Sequence, residues 1–200
     1  MTMASISAKD VKELRDRTGA GMMECKSALS ETNGDMEAAI DLLRAKGAAK
    51  AAKRAGKEAS EGVVGSYIHM GGKIGVLVEV NCETDFVAKT DDFQGLVRDL
   101  AMHIAAANPA AVRSEDLPED VVARERTVYE EQLRDSGKPE KIWDQIITGK
   151  MNKFFAENSL MGQPFVKNPD QTIEELITEV SAGTGEKIEV ARFARFEIGE

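Results

Sequence analysis

The chain has 200 residues, and its 26 Lys and Arg against 35 Asp and Glu give a formal net charge of −9. With 42% hydrophobic and 30% charged residues it has the composition of a globular chain of roughly one or two domains, which excludes disordered, collagen-like and mucin-like polymers and argues against polyanion binding by the chain as a whole. No apolar run approaches the roughly 20 residues of a membrane-spanning helix, and MTMASISAKDVKEL lacks the basic and apolar regions of a secretory signal, so a cytoplasmic location is expected.

Ser7 is placed to cap a first helix, with Asp10 reaching back to it and Val11 and Leu14 as its apolar stripe, until Thr18-Gly19-Ala20-Gly21 stops it. A second helix starts near Met22, carries Cys25, Ala28 and Leu29 at helical spacing, and ends at Asn33-Gly34, a pair suited to a left-handed helix end. Asp35 caps a third, in which Met36, Ala39, Ile40 and Leu43 recur at i, i+3, i+4 and i+7. The three form a bundle of roughly 45 residues, near the lower limit for a self-supporting core.

Residues 44–60, RAKGAAKAAKRAGKEAS, shift abruptly to Ala, Gly and basic side chains, with Arg44, Lys46, Lys50, Lys53, Arg54 and Lys57 against the single acid Glu58. They read as a linker, either a solvated helical connector or an electrostatic contact for an acidic partner or RNA. The absence of interleaved aromatic residues weakens the RNA alternative.

The pattern then turns to period 2. Strands at about 61–70 and 73–82, joined by Gly71-Gly72, make a hairpin with Ile74, Val76, Val78, Val80 and Cys82 on its apolar face. A helix carrying Phe93, Leu96, Val97, Leu100, Ala101 and Ile104 follows and ends before Asn108-Pro109. Pro118 opens a further helix with Val121, Val128, Tyr129 and Leu133 expected inward. Ser136-Gly137-Lys138-Pro139 separates it from one bearing Ile142, Trp143, Ile146, Ile147, Met151 and Phe154, with Gly149 as a weak point. GQPFVKNPD reads as irregular, Thr172 and Glu175 as a capping box for a short helix, and residues 187–198 as a last strand. In that strand Arg192 falls in phase with Ile188, Val190 and Phe196, which requires a bulge or an inward charge. The expected class is α+β, an N-terminal three-helix domain and basic linker followed by a small, mainly antiparallel sheet packed with helices.

Phosphate-cradling, zinc-hydrolase and serine-nucleophile motifs are absent, so no catalytic residue, metal ligand or cofactor is expected. Cys25 and Cys82 are too isolated for a disulfide framework or CxxC pair; Cys82 with Asp85 and His69 could be drawn as a nucleophile site, but its phase places it in the core. His69 and His103 read as structural. Two places resist a structural explanation. Met22 and Met23 are adjacent on a helix and cannot both enter so small a core, and Thr84-Asp85-Phe86-Val87 puts an aromatic between a strand and a helix, either as a loop-borne probe or as a staple beneath the helix.

ISAKDVKELRDRTGAGMMECKSALSETNGDMEAAIDLLRAKG, AAKAAKRAGKEASEGVV and VLVEVNCETDFVAKTDDF, continued by AMHIAAANP, SGKP, GQPFVK and RFEIGE, closely resemble bacterial translation elongation factor Ts over essentially the whole chain. The resemblance implies a ubiquitin-associated-like three-helix domain at residues 1–50, a basic linker at 51–60 and an α+β core and dimerisation domain at 61–200. It implies a guanine-nucleotide exchange factor, not an enzyme, which binds elongation factor Tu in its GDP-bound and nucleotide-free states, displaces Mg²⁺ and promotes GDP release so that GTP can bind. On it, Thr84, Asp85, Phe86 and Val87 match the segment associated with Mg²⁺ dislocation, and Leu14, Met22 and Met23 match the region that docks on the partner. A single core unit without coiled-coil heptads matches the short form, for which a homodimer is expected. No membrane or direct nucleic-acid partner is expected.

Overall fold

The computed structural model describes residues 6–199; the first five residues of the N-terminal segment and the final Glu200 of RFEIGE lie outside the described residues. The elements are α1 (Ala8–Thr18), α2 (Met22–Glu31), α3 (Met36–Arg54), β1 (Glu61–Ile68), β2 (Ile74–Cys82), α4 (Asp85–Ala88), α5 (Asp91–Ala107), α6 (Glu119–Asp135), α7 (Trp143–Asn158), β3 (Pro164–Phe165), β4 (Asn168–Thr172), α8 (Ile173–Thr184) and β5 (Ile188–Glu197), with short 3-10 turns at Ser114–Asp116, Glu140–Ile142 and Leu160–Gly162. The small sheet has strand order β1-β2-β5, and the class is α+β as the sequence implies. Two compact units result, each assembled from three stretches of chain: Met1–Gly65 with Glu79–Arg98 and Glu175–Ala191, and Ser66–Val78 with Asp99–Glu174 and Arg192–Glu200.

In the first unit, Ser7 and Asp10 form the reciprocal capping box at the start of α1, and Gly19 ends that helix in the left-handed region at φ 64°. After α2, Asn33 takes φ 55°, and the Gly34 and Asn33 N–H groups donate to the Leu29 and Ser30 carbonyls at 2.8 and 3.4 Å, closing a Schellman motif. Val11, Leu14, Cys25, Ala28, Leu29 and Ala39 form the buried core of the three helices. α3 does not stop at the change of composition; it runs as one 19-residue helix to Arg54, with Asp35 capping its start. Gly47 lets it approach α8, since a Cβ there would lie 3.2 Å from the Ala182 methyl. Gly62 at φ 149° is needed where β1 crosses β2, because its Cβ would lie 2.2 Å from the Val80 carbonyl oxygen.

In the second unit, Leu133, Ile147 and Met151 form a small core between α6 and α7, with Val122, Tyr129, Trp143, Ile146, Phe154 and Phe155 packed around it. Of the residues expected inward on α6, Tyr129 and Leu133 do face this core, whereas Val121 and Val128 are 41% and 38% exposed and Val122 packs inward in place of Val121. Gly149 leaves α7 unbroken. GQPFVKNPD is not irregular, since it folds into the antiparallel pair β3 and β4. Its start is fixed by buried His103, whose Nε2 lies 3.0 Å from Gln163 Oε1 and whose Nδ1 accepts from the Val166 N–H at 3.3 Å. At the end of β5, Arg192 and Phe196 are both exposed, Phe196 at 67%, so the alternation that grouped them with Ile188 and Val190 lapses after the buried Val190.

Candidate functional site

The TDFV segment lies in the first unit, directly after β2. Fully buried Cys82 donates its thiol to the Thr84 carbonyl at 3.1 Å, and burial pushes that thiol above its ordinary pKa, a neutral state opposite to what a nucleophile needs. Thr84 is extended, and its hydroxyl accepts the Val87 N–H at 3.4 Å to cap the single helical turn α4. Buried Ala88 and half-buried Val87 form the inner side of that turn, and Gln94 Nε2 donates to the Ala88 carbonyl at 2.7 Å. Phe86 points outward and is 80% exposed, so it is no staple beneath the helix. Asp85 accepts from Lys89 Nζ at 2.7 Å across one turn, which holds the Lys89 ammonium above its ordinary pKa; the capping oxygen belongs to Thr84.

Sequence reading missed what holds this turn. Glu186 Oε2 accepts the N–H groups of Glu83 and Thr84 at 3.1 and 3.0 Å, and Oε1 accepts the Thr84 hydroxyl at 2.7 Å. Glu83 in return accepts the Lys187 N–H at 2.7 Å and pairs with Arg54 at 3.3 Å. Arg54 also donates through Nε and Nη2 to the Gly185 carbonyl at 2.9 and 2.6 Å. The turn before α4, the turn after α8 and the end of α3 are thus tied into one charged knot. Its members are separated by up to 131 positions, and no local motif signals the pairing.

The second exposed apolar feature is at the start of α2, where Met22 and Met23 are 49% and 76% exposed. The preceding loop is held by the Thr18 hydroxyl donating to the Leu14 carbonyl at 2.8 Å and by the Cys25 thiol donating to the Ala20 carbonyl at 3.6 Å. Leu14 itself is fully buried with Cys25 and Ala28, so it cannot present a docking surface directly; the stripe that made it conspicuous in α1 is the stripe that buries it. Arg44, Lys46, Lys50 and Arg54 of the basic stretch are engaged internally. Lys46 pairs with Glu31 at 2.7 Å, Lys50 with Glu24 and Arg44 with Glu175 at 3.9 Å, and the ammonium groups of Lys50 and Lys46 hold the Glu24 and Glu31 carboxyls below the usual carboxylate range.

Among the described residues no group of three His, Cys, Asp or Glu is gathered to hold a metal ion, and no helix is long and apolar enough to cross a membrane. The family model described as Elongation factor TS matches residues 2–200. The chain belongs to the elongation factor Ts family. An elongation factor Ts of Desulfosudis oleivorans is 60% identical over 198 residues, covering 99% of this chain and all of the relative. Those of Moorella thermoacetica and Thermosipho melanesiensis are 60% and 57% identical over 195 residues, each covering 98% of this chain and 96% and 100% of the relatives. Membership in the elongation factor Ts family assigns the chain to translation elongation in protein biosynthesis.

Proposed function

We propose that the chain is a guanine-nucleotide exchange factor that binds elongation factor Tu·GDP, dislodges its Mg²⁺ and releases GDP so that GTP can enter. The observation that carries this reading is Phe86, an aromatic left 80% in water on a turn whose backbone is fastened on both sides. A large apolar side chain gains free energy by leaving water, and inserted between packed elements of a partner it favours the partner conformation in which those elements are apart. A GTPase neutralises its nucleotide phosphates with Mg²⁺, so a conformation that cannot hold the ion releases the nucleotide. By linkage, GDP must weaken factor binding by the ratio in which the factor weakens GDP. This requires no catalytic residue, and the neutral, buried thiol of Cys82 is in keeping with that.

In this reading Thr84, Asp85, Phe86 and Val87 form the Mg²⁺-dislocating element, Met22 and Met23 dock on the partner, and Leu14 shapes their support from within. Residues 1–50 form the docking domain, 51–60 the linker and 61–200 the core and dimerisation domain, acting in the cytoplasm. Ile68, Leu77 and Phe196 on the strands of the second unit, with Ile198 just after β5, are 49–75% exposed and are the surface we assign to a second copy of the chain. The internal pairing of Arg44, Lys46, Lys50 and Arg54 supports a reading without direct nucleic-acid binding.

The test is stopped-flow release of a fluorescent GDP from elongation factor Tu. Phe86→Ala is expected to slow factor-stimulated release about tenfold or more while changing the factor's stability by less than about 0.5 kcal/mol, as for an exposed side chain. Release at the parental rate would overturn the assignment.

A further inference from the structure

We propose that Glu186 is the positioning residue for Phe86 and that Arg54 couples the same mount to α3; this rests on Phe86 acting as the wedge. A wedge works only if its mount is stiffer than what it parts, because a compliant turn moves aside and the partner keeps its closed packing. α4 is a single four-residue turn with no stiffness of its own. Its rigidity is supplied by the residues before it, and there one carboxylate accepts three hydrogen bonds from two consecutive residues. The Thr84 hydroxyl gives its proton to Glu186 and keeps a lone pair for the Val87 N–H, so the bond that orients the side chain also sets the cap of the turn bearing Phe86. Glu186 is fixed in turn, since the Ser181 hydroxyl donates to its carbonyl at 2.5 Å and the neighbouring Lys187 N–H is held by Glu83. Arg54 bridges Glu83 and the Gly185 carbonyl, so a displacement of the α3 end is transmitted to the backbone of Glu83–Thr84.

The test separates mount from wedge. In the same release assay Glu186→Ala is expected to lower the maximal rate about tenfold while the factor concentration giving half-maximal rate changes less than about threefold, because Met22 and Met23 are untouched. Combined with Phe86→Ala it should slow release no further than Phe86→Ala alone, since both changes remove one interaction. Glu186→Gln, which keeps an oxygen for the Thr84 hydroxyl, should recover part of the rate, and it replaces Glu186→Ala in the test if that variant does not fold by circular dichroism. A folded Glu186 variant with the parental rate, or one whose defect adds in full to that of Phe86→Ala, overturns the positioning role while leaving the wedge. A parental rate for Phe86→Ala removes the wedge and the mount with it.

Discussion

His103 shows how one side chain is fixed by accounting for its protons. Its Nδ1 accepts a backbone N–H and its Nε2 faces the Gln163 oxygen, whose amide nitrogen donates to the Glu157 carbonyl at 2.7 Å, so the ring is the neutral tautomer protonated at Nε2. Burial lowers its pKa below the ordinary 6.5. The unfolded chain therefore takes up a proton at higher pH than the folded one, so this contribution to stability is complete above pH 6.5 and is lost as pH falls toward the folded value. Urea unfolding at about pH 7 and about pH 5 should show a larger loss of stability for the parent than for His103→Gln, in which nothing titrates at this position. Equal losses would mean that His103 is not held neutral. At this scale the sequence was partly legible. The adjacency of Met22 and Met23 on one helix marks Met23 for the surface, whereas the residues around Phe86 allow a probe or a staple and only its 80% exposure decides between them; the Glu186 contact joins residues 102 positions apart and leaves no pattern along the chain.

Among the elements, those governed by local rules are legible in the sequence. The Ser7–Asp10 box, the Asn33-Gly34 end and the Val76, Val78, Val80 face each follow from residues within a few positions of one another. α3 beyond Leu43 is harder to read, because an Ala, Gly and Lys sequence has no apolar stripe although alanine favours the helix; Arg44, Lys46, Lys50 and Arg54 pair with Glu175, Glu31, Glu24 and Glu83, which only the fold brings near. The β3–β4 pair was hidden for a similar reason, since strands of two and five residues are too short for periodicity to register. β1 supplies an element-scale prediction. Gly62→Ala forces a methyl against the Val80 carbonyl oxygen at a backbone conformation unsuited to L side chains, and it should lower stability by about 1–3 kcal/mol in urea denaturation. An unchanged midpoint would show that the close approach of β1 to β2 is relieved without cost.

For the whole molecule, −9 is a residue of cancellation more than a uniform field, since the cationic stretch spends much of its charge on the chain's own carboxylates. Association should accordingly be driven by apolar surface, with little dependence on salt. Light scattering is expected to give twice the 21.7 kDa chain mass, and Phe196→Lys to give a monomer with reduced nucleotide release. A monomeric parent with full exchange activity would overturn the assigned dimer.

The unbroken course of α3 has a metrical consequence. Nineteen residues at 1.5 Å each make a rod of about 28 Å, one end seated in the three-helix core and the other tied to Glu83. It therefore sets both the span and the angular phase between Met23 and Phe86. One extra alanine within its exposed stretch would advance the far end by about 1.5 Å but swing it by about 100°, while four would nearly restore the phase at the expense of about 6 Å. The two proposed points of contact are in this sense indexed to one another, as teeth on a common shaft.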